Sequence, residues 1–158
     1  MKDKRKIKSK KLIYKGIKFD SELELHCYKA LEEANIKFTY NEKTFTLKES
    51  FRPTITIINN YYKTGTNKKK RFTKYETKIL DELYIDKSKI GSIKYTPDFI
   101  IERDNKTIYI ETKGYANESY PYRKKLFISY LEKLKDNKEY TFVELRNKKQ
   151  INLYISNL

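Results

Sequence analysis

Between Leu23 and Ala34 the apolar residues Leu23, Cys27, Ala30, Leu31 and Ala34 fall on one stripe at helical spacing, the signature of a helix buried along one face. The pattern predicts a helix opening after Phe19, capped by Asp20 or Ser21 and stopped at Asn35. Ile36-Lys37-Phe38-Thr39-Tyr40 then alternates, and the alternation runs on through Phe45 and Leu47, which reads as strand. Residues 49–93 are less regular. Thr54-Ile55-Thr56-Ile57-Ile58 is strand-like, Gly65 marks a turn in a lysine-rich tip, and Tyr84-Ile85 suggests a further short strand. This stretch reads as an inserted, basic, β-rich excursion. Beyond it, Asp98–Glu102 and Thr107–Lys113 flank Asp104-Asn105, two residues that tolerate the turn conformation of a hairpin. Ser119 and Pro121 open a second helix with Phe127, Tyr130, Leu131 and Leu134 on one face; Tyr140–Leu145 is a strand, and Lys148–Leu158 a closing helix. The order is αβ, an insertion, then ββαβα, and it predicts an α/β fold, a mixed sheet with helices packed on it.

Composition narrows the setting. At 158 residues the chain is about one domain long, and 40 of them are Leu, Ile, Val or Phe. That quarter exceeds the ~20% below which highly charged chains stay disordered, so a lean core is expected. No apolar run approaches the ~18 residues of a membrane span, nor is a signal peptide visible. A single cysteine, Cys27, and a single histidine, His26, exclude a disulfide framework and a Cys/His-rich zinc site. A cytoplasmic protein without a membrane partner is the expectation.

The charge points to a polyanion. Thirty-six Lys+Arg against 21 Asp+Glu leave a net +15, and neutralising nucleic-acid phosphates releases condensed counterions. The charge is also blocked. Residues 1–18 hold nine Lys/Arg and one acid, and residues 63–78 hold seven and one. Such blocks read as arms or loops that meet a polyanion. Residues 1–18 are accordingly expected to be a basic arm on a single domain of 19–158, with the insertion at about 49–93. Lys4, Arg5 and Lys6 in the arm, and Lys68, Lys69, Lys70 and Arg71 in the insertion, are candidate DNA contacts.

Candidate chemistry comes from the hairpin register. If Asp104 and Asn105 form a two-residue loop, Arg103 faces Lys106, and the same register places Asp98 opposite Glu111. Opposed side chains share a face with Cβ atoms ~5 Å apart, so two carboxylates there repel unless a cation sits between them. Lys113 projects from the same face as Glu111. Two carboxylates and an ammonium suit Mg²⁺-dependent phosphodiester hydrolysis. The Glu-x-Lys triplet alone carries no weight, since about three copies are expected by chance and two exist, the other being Glu76-Thr77-Lys78. Pro97-Asp98, the strand context and the register carry the signal.

Glu24 has two readings. Ser21-x-x-Glu24 has capping-box spacing. On an ideal helix Glu24 also lies about 76° from the centre of the apolar stripe, against about 124° for Glu22, so it can reach a site on the sheet. Spacing leaves cap and metal ligand open.

Phe19-Asp20-Ser21-Glu22-Leu23-Glu24, Ile36-Lys37-Phe38-Thr39-Tyr40-Asn41-Glu42, Tyr95-Thr96-Pro97-Asp98-Phe99, Glu111-Thr112-Lys113-Gly114 and Arg123-Lys124-Lys125 follow one another along about two-thirds of the chain. In that order they resemble phage endonuclease I, the Holliday-junction resolvase branch of the PD-(D/E)xK nucleases. The resemblance implies a restriction-endonuclease-like core (αβ-ββαβ) and a catalytic set of Glu24, Asp98, Glu111 and Lys113. It also implies two Mg²⁺ ions, with Mn²⁺ as a substitute, held by Asp98, Glu111, Glu24 and the Thr112 backbone carbonyl. The expected activity is cutting of branched DNA by a symmetric homodimer that exchanges an element, in the cytoplasm of a bacterial host. Residues 49–93 depart from the family, whose link before the Tyr95 position is far shorter. Within enzymes, the rival is the endonuclease subunit of a heteromeric transposase; outside them, it is a non-catalytic basic DNA-binding module. Arg123, Lys124 and Lys125 are expected to meet phosphates. His26 reads as a surface or boundary residue; Tyr61, Tyr62, Tyr120 and Tyr122 offer rings for base stacking, but among fifteen tyrosines packing is the safer reading for any one of them.

Overall fold

The computed structural model describes residues 12–60, 71–80, 83–114 and 118–158. It is an α/β structure with mixed sheets and, among the described residues, three helices. The chain divides into two compact units. One comprises the described residues up to Phe45 together with Tyr95–Leu158, and the other is Thr46–Lys94. The segment that the sequence sets apart, 49–93, lies within the second.

The first unit begins with a hairpin, β1 (Leu12–Tyr14) and β2 (Ile17–Phe19), paired antiparallel. Lys15 and Gly16 both have positive φ, the geometry of a two-residue turn whose twist matches the strands it joins. Residues 12–18 of the expected basic arm thus lie in this hairpin, and residues 1–11 lie outside the described residues. The short strands are hidden in sequence by the lysines around them, but Phe19 is fully buried and edge-packed on Tyr28.

Helix α1 (Glu22–Glu33) follows. Ser21 caps it, its hydroxyl accepting from the Glu24 amide at 3.1 Å. At the other end Asn35 takes a left-handed φ of 52°, and the amides of Asn35 and Ile36 donate to the carbonyls of Glu32 and Leu31. This is a Schellman ending with asparagine in the glycine position. Cys27 and Leu31 are buried, as the stripe predicts. The expected strand at Ile36–Tyr40 shortens to β3 (Thr39–Tyr40).

The chain leaves the first unit through β4 (Phe45–Lys48). In the second unit, β5 (Ile57–Asn60), β6 (Glu76–Leu80) and β7 (Leu83–Asp86) form an antiparallel sheet in the order β5-β7-β6. The strand expected at 54–58 thus begins only at Ile57. This sheet is thin-cored: Ile58 and Leu80 are 58% and 62% exposed. The chain returns through β8 (Ile93–Tyr95), which pairs with β4.

The central sheet then completes itself with β9 (Phe99–Arg103) and β10 (Lys106–Thr112), followed by α2 (Tyr120–Leu131), β11 (Glu139–Leu145) and α3 (Lys148–Ile155). Its order is β11-β10-β9-β3, antiparallel except for the parallel β10–β11 pair. A parallel neighbour needs a crossover, and α2 supplies it. The helix spans one turn less than the expected Phe127–Leu134 face requires, so Leu134 lies beyond its end. Every residue of β10 after Lys106 is buried because helices cover both faces. On one face Cys27, Leu31, Phe99, Ile101, Ile108, Ile110, Leu145, Ile151 and Ile155 form the aliphatic core between the sheet and α1 with α3. On the other, Phe127 of α2 packs on Tyr95, Tyr109, Phe45 and Phe142. His26 reaches from α1 to Asn152 of α3 at 2.7 Å, a boundary role. No helix among the described residues is long and apolar enough to cross a membrane.

Candidate active site

The β9–β10 hairpin has the register expected from its turn: Arg103 pairs with Lys106, and the ladder runs to Phe99 opposite Ile110. It stops one pair short of Asp98 and Glu111. Past that point Asp98 is held differently, its Oδ2 accepting from the Thr112 amide at 2.7 Å and from the Thr112 hydroxyl at 2.8 Å. Glu111, only 4% exposed, accepts from the Tyr95 hydroxyl at 2.8 Å on Oε2 and from the Lys113 ammonium at 3.3 Å on Oε1.

These carboxylates are out of their ordinary range. Burial, then the charge of Glu111, pushes Asp98 up to about 7 against the two bonds from Thr112, and Glu24 adds to the rise. Burial likewise raises Glu111, opposed by Tyr95 and Lys113. Glu24 is therefore close enough to be felt by both. Its own oxygens are taken locally: Oε1 accepts from the Ser21 hydroxyl at 2.9 Å, and Oε2 from the Tyr40 hydroxyl at 2.8 Å and the Asp20 amide at 3.2 Å. The cap and the approach to the sheet coexist. Tyr40 belongs to β3, so its phenol ties the first turn of α1 to the central sheet.

A second acid stands beside this group. The parallel register sets Glu144 of β11 against Glu111. Unlike Glu111, it is fully countered: Tyr120 donates at 2.8 Å, Lys124 at 2.7 Å, and Arg146 also pairs with it. Burial pushes Glu144 up, but these three partners together outweigh it and hold its pKa at about 2. Tyr120 also presents its ring to the Lys113 ammonium, 4.8 Å from the centroid, a cation–π contact.

The structure thus brings Glu24, Asp98, Glu111, Thr112 and Lys113 together in the first unit. Lys124, a candidate phosphate contact, pairs with Glu144. Arg123 is half-buried with its Nε shielded and without a hydrogen bond, and Lys125 is exposed. Arg71 is exposed in the second unit; Lys4, Arg5, Lys6, Lys68, Lys69 and Lys70, with Tyr61, Tyr62 and Gly65, lie outside the described residues. Tyr40, Tyr95, Tyr120 and Glu144 were not singled out for the site by sequence reasoning. Fifteen tyrosines hide three useful ones, and Glu144 becomes adjacent only through the parallel pairing.

Comparison with known proteins found no family model, curated protein or solved structure that matches the chain.

The donor set fits a hard divalent cation. Among the described residues no three His, Cys, Asp or Glu side chains form a ready-made cage, but Mg²⁺ usually binds through one or two carboxylates, retained waters and substrate phosphate oxygens. Asp98 and Glu111 are such a pair: burial, joined for Asp98 by the charge of Glu111, disfavours their ionised forms, which a bound cation would favour.

A pH dependence follows from the same shifts. Folding favours the neutral form of Asp98, so between its ordinary 3.8 and about 7 the folded chain binds more protons than the unfolded one. Stability from this group therefore falls as pH rises through that window, and Glu111 acts in the same direction. In metal-free buffer, thermal melts from pH 5 to pH 7.5 should show wild type losing stability relative to Asp98→Asn. Parallel curves for the two proteins would contradict the shift.

Proposed function

We propose that the chain is a Mg²⁺-dependent DNA endonuclease with a restriction-endonuclease-like core, hydrolysing phosphodiester bonds in branched DNA. The observation that carries this reading is the apposition of Asp98 and Glu111, two under-neutralised carboxylates beside the Lys113 ammonium. Stability alone does not favour such an arrangement, since burying like charges costs free energy, and perturbed carboxylates gathered with a charge partner mark functional sites. The contrast with Glu144, which three donors neutralise, sets this pair apart.

In this reading Asp98 and Glu111 hold the ion, with Glu24 and the Thr112 carbonyl available to a second. Bound Mg²⁺ supplies Lewis-acid chemistry, acidifying water and stabilising charge on the phosphate. Thr112 keeps the Asp98 carboxylate in place through its amide and hydroxyl. Lys113, poised between Glu111 and the Tyr120 ring, places positive charge and a transferable proton next to the scissile group. Glu24, restrained by Ser21 and Tyr40, adds negative charge on the α1 side. The chain's net +15 supplies long-range attraction for DNA, and the order of the quoted motifs supports the junction-resolving branch and a homodimer acting in the cytoplasm.

Substrate structure is the discriminating test. Four-way junctions and linear duplexes with the same arm sequences should be compared under single-turnover conditions in Mg²⁺. Preferential, paired cuts near the branch point are expected. Equal cutting of the linear duplex would favour a transposase-type or general nuclease instead.

A further inference from the structure

We propose that Tyr95 is a positioning residue that orients the Glu111 carboxylate for metal binding, an inference that rests on the metal-dependent reading above. The β9–β10 ladder ends at Phe99 and Ile110, so backbone pairing does not fix the separation of Asp98 from Glu111. Two side-chain ties do so instead. Running one way, the Tyr95 hydroxyl donates to Glu111 Oε2 at 2.8 Å; running the other, the Thr112 amide and hydroxyl donate to Asp98 Oδ2. Residues 95–98 are thereby stapled to residues 111–112 at both ends, with Pro97 fully buried between.

The phenol is itself held rigidly. Its ring is 5% exposed and stacks on Phe127, with centroids 4.5 Å apart and 24° between planes. Phe127 is fully buried against Tyr109 at 5.2 Å and Phe45 at 5.1 Å. A packed aromatic wall thus fixes the hydroxyl, and the hydroxyl fixes one carboxylate oxygen. The other oxygen faces Lys113. A carboxylate rotating freely would have to be ordered on binding an ion; this one is ordered beforehand. Outer groups that orient a ligand in this way are typically worth about 10- to 100-fold in metal affinity or activity.

The test is direct Mn²⁺ binding to the full chain without DNA, followed by paramagnetic resonance of the free ion, in wild type, Tyr95→Phe, Glu111→Gln and the double variant. Tyr95→Phe keeps the ring and its stack but removes the hydroxyl. Mn²⁺ affinity should fall about 10- to 100-fold, while metal-free binding of a four-way junction stays at the wild-type value. In the Glu111→Gln background the same change should add no further loss, because Tyr95 acts through Glu111. Wild-type Mn²⁺ affinity in Tyr95→Phe, or an equal added loss in the double variant, would overturn the inference while leaving the metal-dependent reading intact. No Mn²⁺ uptake by wild type would overturn both. Should Tyr95→Phe fail to fold, Phe127→Leu loosens the wall with the hydroxyl retained. It must then weaken Mn²⁺ binding in the otherwise wild-type chain and not in the Glu111→Gln background, and any other result overturns the inference.

Discussion

Asp98→Asn is expected to abolish cleavage while leaving DNA binding intact or tighter. The substitution keeps the size of the side chain and one oxygen for the Thr112 amide and hydroxyl, which now hold Oδ2, so the fold has little reason to change. What it removes is a negative charge, and that charge plays opposite parts in the two measurements. For the ion it is a ligand; for the approaching phosphates it is a source of repulsion. Loss of one group that stabilises transition-state charge typically costs about a hundred- to a thousandfold, and a carboxylate that also anchors the ion should cost at least that. The neutral variant should also be the more stable protein at pH 7.5, because folding disfavours the ionised form of Asp98. Single-turnover cleavage in Mg²⁺ and junction binding without metal check both halves. A near-wild-type rate would remove Asp98 from the site.

Glu24→Gln separates two jobs that meet in one side chain. As a cap partner the carboxylate accepts from Ser21 and Asp20, and glutamine fills the same place in capping boxes. One of the acceptor contacts, such as that from Tyr40, is weakened, at a cost near the ~1 kcal/mol of an ordinary hydrogen bond. The melting temperature should therefore barely move. Activity should nonetheless fall about a hundredfold, because the charge that both Asp98 and Glu111 sense is gone. Equal activity of the two proteins would reduce Glu24 to its structural role.

Much of this site was legible because local chemistry determined it. A two-residue turn at Asp104-Asn105 sets the register of everything that follows from it, and the observed pairs obey that register from Lys106–Arg103 to Ile110–Phe99. The 3.6-residue stripe on α1 gave its buried face, and Asn35 its end, through the left-handed cap. Illegible features depend on non-local packing. Glu144 reaches Glu111 through a parallel pairing that no turn specifies, and it captures Lys124, which looks free in sequence. The β1–β2 hairpin hides in a lysine-rich stretch because its strands are three residues long, too short for alternation to register. Tyr95 is one of fifteen tyrosines until the stack on Phe127 singles it out.

On the proposed reading Asp98, Glu111 and Lys113 form a metal-dependent centre that breaks phosphodiester bonds. Its most direct measurement is incubation of the purified wild-type chain with an end-labelled four-way junction, with Mg²⁺ and with chelator, scored for strand breaks. Discrete cuts near the branch point are expected in Mg²⁺ and none in chelator. A junction bound tightly yet left whole at every Mg²⁺ concentration would contradict that reading and mark the chain as a binding module.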